Sequence, residues 1–271
     1  MRYTEQQKAY EYRNLDWDTD YFGVKSARVT LKEKLNKEEW LSIRSLIIDN
    51  EFVVIDNVNN NPTNNFFISN LQGVFLTDIN FQFTKAIEKI KINTLLEGFN
   101  IYITRNMNYN KQIIDISKNS YEYSRFFNDP FLEKSKSQNI YSHWVESSFL
   151  KDNKYFLSYH EGSNILGYIL FVIDRQNKNA VIELISVHES MKDKSIGTKM
   201  IKFLESYLSE NFKEIEVIKV GTQSNNIRAI NFYTKNGFRV KEIRSIYHYW
   251  PNFMVNNMAE IANDKVVKDN L

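Results

Sequence analysis

Apolar positions along this chain switch repeatedly between a period of two and a helical period. "GVFLTDINFQFT" (73–84) and "NIYITR" (100–105) read as strands, and "KAIEKIKINTLLE" between them has helical spacing. "NVNNNPTNN" (57–65) reads as a polar loop around one of only three prolines. A second asparagine-rich patch, "RNMNYNKQ" (105–112), is the expected joint between two halves, 1–110 and 111–271. After it, "IIDISKN" predicts a short strand and "SQNIYSHWVESSFL" (137–150) a helix with an aromatic face. "KYFLSYH" (154–160), "NILGYILFVID" (164–174) and "NAVIELISV" (179–187) are three strands joined by tight polar turns, which predicts an antiparallel meander. A helix over 195–209 places Ile196, Met200, Ile201, Leu204, Tyr207 and Leu208 at helical spacing. Strand 215–222, helix 226–236 and strand 238–250 follow, and the tail from about 255 is polar and peripheral.

Composition narrows the classes. A chain of 271 residues, 42% hydrophobic and 14% aromatic, folds rather than staying disordered. Its 35 basic and 33 acidic residues leave a net charge of +2, which calls for neither a nucleic-acid partner nor an anionic membrane. The absence of cysteine removes disulfides, thiolate metal sites and cysteine nucleophiles together. The opening "MRYTEQQKAYEYRNLDWD" lacks a signal-peptide apolar region, and no apolar run reaches the ~18 residues of a membrane span. A cytoplasmic location is therefore expected. His143, His160, His188 and His248 are scattered without metal-ligand spacing, so no metal is expected.

The stretch "KDKSIGTKM" (192–200) sets lysines, a serine and a glycine ahead of an amphipathic helix. Unpaired N–H groups over 193–198 and the helix dipole suit an anion, and Lys192 and Lys194 add charge. The plainer reading makes Ser195 an N-cap with a basic approach.

A meander that turns through a basic Ser/Gly loop into a helix, then strand, helix and strand, resembles the GNAT superfamily of N-acetyltransferases. That family carries Val-x-x-x-x-(Gln/Arg)-x-x-Gly-x-(Gly/Ala), and "VHESMKDKSIG" sets Val187, Lys192, Ser195 and Gly197 in register. Lys192 keeps the charge; Ser195 for the first glycine, and Asp193 near two phosphates, depart from the pattern. A second family motif, Asn-x-x-Ala-x-x-Phe-Tyr-x-x-x-Gly-Phe, is matched throughout by "NIRAINFYTKNGF". The resemblance covers roughly 112–250 and implies an α/β GNAT fold, a mixed central sheet with flanking helices. It implies acetyl-CoA as co-substrate, its diphosphate held by Lys192, Asp193, Lys194, Ser195, Ile196, Gly197 and Thr198. Backbone at Ile185 and Val187 would hold pantetheine and polarise the thioester carbonyl. Asn226 is a cofactor ligand, an N-cap, or both. Tyr233 is the general acid for the leaving thiolate, or a core tyrosine beside Phe232. Glu183 is the general base, on the face of Ile185 and Val187 by alternation, or a peripheral carboxylate. No acyl-enzyme is required.

A narrower resemblance concerns the first half. "LDWDTDYFG" (15–23), "GVFLTDINFQF" (73–83) and "SRFFNDPF" (124–131) followed by "YSHW" (141–144) are similar to segments of the dTDP-fucosamine acetyltransferases. That family carries a partial GNAT-like half ahead of the complete one and acetylates dTDP-4-amino-4,6-dideoxygalactose. By that likeness Arg125 pairs with the nucleotide diphosphate, and Tyr21, Phe22, Phe126 and Phe127 stack on sugar or thymine; the alternative is an interdomain core. Asp18 and Asp129 are read as turn residues. A homodimer is a family-level expectation. Two other functions stay open: a GNAT acting on another primary amine, and a catalytically silent acyl-CoA-binding module, which would not need Tyr233.

Overall fold

The computed structural model describes residues 9–88, 100–191 and 194–251. Most of the helix expected over 85–97, the tail beyond 255, Lys192 and Asp193 lie outside them. The chain divides into two compact units, each assembled from separated segments.

The first unit comprises residues up to Asn80, Arg125–Lys136 and the chain from Glu242. Its elements are β1 (Tyr10–Asn14), α1 (Asp16–Phe22), β2 (Ser26–Leu31), α2 (Lys37–Ile47), β3 (Phe52–Val58) and α3 (Pro62–Ser69). It also holds the first part of β4 (Val74–Ala86) and most of β10 (Arg239–Tyr249). Strand order is β1-β2-β3-β10-β4. β2 and β3 run parallel, with Val29 opposite Ile55, whereas β10 is antiparallel to β3, with Tyr247 opposite Ile55. Alternation then sends Val53 and Ile55 to one face, where they pack with Val29, Leu31, Ile43, Ile47 and Ile68. Helix α2 starts at a capping box: Asn36 Oδ1 accepts from Glu39 N–H, and Glu39 Oε2 accepts from Asn36 N–H.

The stretch 57–65 departs from the loop expected there. Asn57 is the last residue but one of β3, Asn61 caps α3 by accepting from Thr63 N–H at 3.0 Å, and Pro62 opens the helix, where its missing N–H costs nothing. Asn57 and Asn64 are fully buried. Asn64 accepts from Leu35 N–H at 3.0 Å and donates to Asn57 Oδ1 at 3.2 Å.

The second unit comprises Phe81–Ser124 and Ser137–Lys241, so the joint expected at 110–111 falls inside it. It contains the rest of β4, then β5 (Ile101–Arg105), α4 (Lys111–Lys118) and most of α5 (Lys134–Ser148). The meander β6 (Tyr155–Glu161), β7 (Asn164–Asp174) and β8 (Asn179–Val187) follows, then α6 (Ile196–Asn211), β9 (Val217–Gln223) and α7 (Ile227–Lys235). Strand order is β4-β9-β8-β7-β6-β5, with the meander antiparallel as expected and β8 parallel to β9. One face packs Met200, Ile201, Leu204 and Leu208 of α6 against Leu157, Ile169, Phe171 and Ile182. The other packs Ile113, Ile114 and Ile116 of α4 and Val145 of α5 against Phe156, Tyr168, Leu170 and Leu184.

Helix α4 corrects the strand expected at "IIDISKN". The β-branched run suggested an extended segment, but Asn110 accepts from Ile113 N–H and caps a helix. Ile113, Ile114, Ile116 and Ser117 are its buried stripe, a spacing of three and four.

Candidate active site

The second unit holds both sequence motifs, the first of them following directly on β8. The β8–β9 ladder runs from Asn179 opposite Val217 to Ile182 opposite Val220 and stops. β8 nevertheless continues to Val187 and β9 to Gln223. The break coincides with a bulge, since Phe171 faces Ile182 whereas Leu170 faces Leu184, which leaves Glu183 as the extra residue. Bulges bend a strand and raise its twist, which accounts for the parted ends. Ile185 and Val187 lie on the parted segment, their side chains packed against the second unit's core.

The bulge also interrupts the alternation from which the face of Glu183 was expected. Ile182 and Ile185 belong to one core and Leu184 to the other, so alternation slips by one residue at Glu183. Counting in twos back from Val187 therefore does not place it. Its partner does: both carboxylate oxygens accept from Lys154 Nζ at 2.6 Å, with each side chain 17% exposed. Lys154 gave no signal in sequence, because it pairs across the sheet.

Beyond Val187 the chain makes one 3-10 turn, Glu189–Met191, and reaches Lys194, whose Nζ lies 3.4 Å from Met191 sulfur. Ser195 opens α6 at φ 58° and ψ 20°, and its side chain makes no cap hydrogen bond. It is therefore not the side-chain cap of the plainer reading. Ser195 holds a left-handed turn that costs a residue with a Cβ about 1–2 kcal/mol, the physical reason for glycine at this place in the family pattern. The first intrahelical bond of α6 runs from Lys199 N–H to the Ser195 carbonyl at 3.1 Å. The N–H groups of Ile196, Gly197 and Thr198 precede it and have no carbonyl behind them in the helix. Gly197 lies under the Phe232 ring, where a Cβ would stand 3.0 Å from Cε2. That contact ties the α6 loop to α7, and so joins the two sequence motifs.

Asn226 caps α7, its side-chain oxygen accepting from Ala229 N–H at 3.0 Å. Tyr233 is 4% exposed, its ring packed by Phe232, Phe83 and Phe238 at 5.3, 5.6 and 5.6 Å between centroids. Burial holds its phenol well above the ordinary tyrosine pKa. Tyr121 is held high as well, first by burial and then by Tyr168, with Tyr233 among its electrostatic neighbours. The Tyr121 and Tyr168 hydroxyls are 3.1 Å apart, and Tyr121 stacks on Tyr141 at 4.2 Å. Tyr121 lies in the loop between α4 and α5, where no periodicity marks it.

The chemistry at the start of α6 suits a diphosphate: donors at Ile196, Gly197 and Thr198, a cation at Lys194, and close backbone approach at Gly197. Among the described residues no group of three or more His, Asp or Glu is placed to hold a metal ion.

The first unit holds the residues expected to bind substrate. Arg125 NH1 donates to His248 Nε2 at 3.0 Å, and NH2 lies 3.4 Å from Asp18 Oδ1. Its guanidinium lies over the Phe126 ring, 3.9 Å from the centroid. Phe126 stacks on Phe22 at 5.4 Å, and both are buried. Tyr21 donates its hydroxyl proton to the Lys136 carbonyl at 2.8 Å. The aromatic cluster is thus packed within one unit rather than spread over a joint. Because a guanidinium only donates, His248 Nε2 must accept; Nδ1 carries the proton and donates to Asp129 Oδ2 at 2.5 Å. Burial first, with Arg125 beside it, lowers the His248 pKa to about 4. Asp129 also accepts from Trp250 Nε1–H at 3.1 Å and from Phe131 N–H at 2.8 Å. It is a turn residue, as expected, and the anchor of a buried network besides.

Residues 115–238 match the Acetyltransferase (GNAT) family. Over this stretch the chain is similar to the acetyltransferases of that family. The chain is 22% identical over 139 residues to the spore coat polysaccharide biosynthesis protein SpsD of Bacillus subtilis, which covers 51% of this chain and 47% of that one. It is 29% identical over 84 residues to the uncharacterized protein YxbD of the same organism, 31% of this chain and 49% of that one. The matches thus span about half the length of these curated relatives. Among solved structures, a tandem GNAT protein from the clavulanic acid biosynthesis pathway aligns with TM-score 0.55 and 12% identity over 84% of this chain and 76% of that one. A GNAT protein from Kribbella flavida aligns with TM-score 0.53 and 9% identity over 85% and 84%. The fold is the mixed-sheet GNAT architecture, and the tandem neighbour fits a two-part chain.

Proposed function

We propose that this protein transfers acetyl from acetyl-CoA directly to the amine of a dTDP-linked amino-deoxy sugar, in a ternary complex. The observation that carries the acetyl-transfer reading is the parted end of β8, followed at once by a left-handed turn into the donor-rich start of α6. The sugar reading is supported by the resemblance of the first half to the dTDP-fucosamine acetyltransferases. A relative named for spore coat polysaccharide biosynthesis agrees with it.

Lys194 and the first-turn N–H groups of α6, with Lys192 and Asp193 alongside in the chain, hold the diphosphate in this reading. Backbone at Ile185 and Val187 takes pantetheine and polarises the carbonyl. Acetyl-CoA supplies an activated thioester, so the protein's task is to position an amine and assist departure of sulfur. Tyr233 gives that assistance. A thiol has a pKa of about 8.5, and each unit of mismatch costs about 1.4 kcal/mol. Full transfer from a phenol held above its normal value is therefore uphill. The Tyr233 hydroxyl acts instead as a hydrogen-bond donor to sulfur as charge builds, passing the proton only as far as the new environment allows. Glu183, already bound by Lys154, serves the site first as the anchor of that lysine; acting as base would require release of the ammonium group.

Incubation with acetyl-CoA and dTDP-4-amino-4,6-dideoxygalactose, kanamycin or spermidine, with thiol release as readout, tests the reading. Release with the nucleotide sugar at a kcat/KM well above the other amines is expected. A preference for another amine would reassign the substrate, and acetyl-CoA binding without release would mark a silent acyl-CoA-binding module.

A further inference from the structure

Past Ile182 the parted segment of β8 is paired with β7 but no longer with β9. Its backbone at Ile185 and Val187 is the part assigned to pantetheine, and Ser186 stands between them. A strand end released by one neighbour frays unless something else fixes it. Ile185 and Val187 turn their side chains to the α6 core, whereas Leu184 faces the α4 core. Alternation therefore sends Ser186 to the α4 side, where it meets the loop after that helix. Ser186 Oγ donates to Ser120 Oγ at 2.5 Å, and Ser120 Oγ donates to the Ile116 carbonyl at 2.5 Å. A carbonyl only accepts, so the direction of both bonds is fixed from the α4 end.

The same loop holds the neighbouring strand at the same rung. Tyr168 of β7 stands opposite Ser186, and its hydroxyl lies 3.1 Å from that of Tyr121, the residue after Ser120. Tyr121 stacks on Tyr141 of α5, and Tyr141 donates its hydroxyl proton to the Tyr123 carbonyl at 3.0 Å. The loop is thus braced from α5 as well as from α4. Ser186 is 7% exposed and Tyr168 fully buried, so water competes weakly for these bonds. A second tether, Lys154 on Glu183, holds the bulge. Both tethers lie just past Ile182, the last residue of β8 paired with β9. We propose that Ser120 is a positioning residue for acetyl-CoA: through Ser186 it fixes the peptide groups of Ile185 and Val187 that meet the pantetheine arm. Small displacements of such groups are costly to a site that works by placement. This rests on the acetyl-CoA part of the proposed function and is independent of which amine accepts the acetyl group.

The test measures Kd by calorimetry, in the full chain, for acetyl-CoA and for phosphoadenosine diphosphate, which is coenzyme A without its pantetheine arm. Ser120→Ala and Ser186→Ala are each expected to weaken acetyl-CoA binding about tenfold, the scale of one hydrogen bond. Binding of phosphoadenosine diphosphate is expected to stay within twofold. Because both substitutions break one bond, the double variant is expected to be no weaker than the single ones. Ser120→Thr, which keeps the hydroxyl, is expected to bind as wild type does. A lower melting temperature with the ratio of the two affinities unchanged would make the serine pair a structural staple and overturn the proposal. Equal affinity of wild type for the two ligands would overturn it too, since β8 would then not meet the arm. Wild type that binds neither ligand overturns the proposal together with the acetyl-CoA reading. Turnover is not part of the comparison, so failure of every amine to react counts against acetyl transfer alone. Should Ser186→Ala fail to fold, Ser120→Ala, at a half-buried loop position, carries the test.

Discussion

Gly197 at the start of α6 lies against the Phe232 ring of α7, so that a Cβ there would stand 3.0 Å from Cε2 and 3.1 Å from Cζ. Gly197→Ala would gain about 1 kcal/mol of helix propensity but overpack a contact at a cost of about 1–3 kcal/mol. The contact wins, and it wins at the phosphate end of the helix. Acetyl-CoA affinity is expected to fall about tenfold, measured by calorimetry, with a small drop in melting temperature. Adding Phe232→Leu is expected to restore most of that affinity. A double variant as weak as the single one would show that the two residues are not coupled.

Ser195 gives the opposite expectation. Its left-handed φ of 58° has no compensating side-chain cap bond. Ser195→Gly relieves about 1–2 kcal/mol of backbone strain and loses roughly 0.4–1 kcal/mol to the freer unfolded chain. A net gain of several tenths of a kcal/mol is expected in thermal melts, with acetyl-CoA binding as tight or tighter. Ser195→Val is expected to destabilise, because a β-branched residue fits this region worst.

Two titrating groups in the first unit oppose each other. Burial chiefly raises the Asp78 carboxyl to about 6, so between pH 4 and 6 the folded protein holds more protons there than the unfolded chain. Stability from this group is full below the unfolded pKa and is lost as pH rises through 6. His248, lowered to about 4, does the reverse: its contribution is present above pH 6.5 and is lost as pH falls toward 4. Together they flatten the profile over this window. Asp78→Asn removes one arm, so its melting temperature is expected to climb between pH 4.5 and 6.5 where wild type changes little. Relative to wild type it is expected to gain up to about 3 kcal/mol at pH 7, the two-unit shift converted. A variant curve parallel to wild type would contradict this.

The parts legible in sequence were those where one strand or helix carries its own punctuation. β7 and β8 matched to the residue because "EGSN" and "RQNKN" bracket them. Helix α4 is hidden in the sequence because Ile113, Ile114 and Ile116 look like a strand unless Asn110 is seen as a cap. The asparagines at 57–65 read as a loop because polarity alone does not reveal which amides pair. Glu183 could not be placed from its own strand, since a bulge is a relation between two strands. The Arg125–His248–Asp129 network joins residues more than a hundred positions apart, and no spacing rule reaches that far.

Glu183 and Lys154 separate a chemical role from a structural one. If the ion pair at 2.6 Å is mainly a brace, Glu183→Gln is expected to lower stability by about 1–3 kcal/mol, since it leaves a mostly buried ammonium without its anion. Turnover is expected to stay within a few-fold, with the acid limb of the kcat/KM profile unchanged. A hundredfold loss of kcat, with that limb abolished and melting preserved, would make Glu183 the general base after all.

Tyr233→Phe is the most direct test of how sulfur leaves. The ring is packed by Phe232, Phe83 and Phe238, and the variant keeps that packing while removing one hydroxyl, so melting is expected to change little. If the hydroxyl donates to the leaving sulfur, kcat is expected to fall about 10²-fold, with acetyl-CoA affinity close to wild type. Burial keeps the phenol protonated far into alkali, so wild-type kcat is expected to show no alkaline limb below about pH 10 from this residue. An acyl donor with a more acidic thiol needs less help, and the variant's deficit is expected to shrink with it. Near-normal turnover of the variant with acetyl-CoA would return Tyr233 to the core and leave the departing sulfur to another donor, with Tyr121 the first to examine.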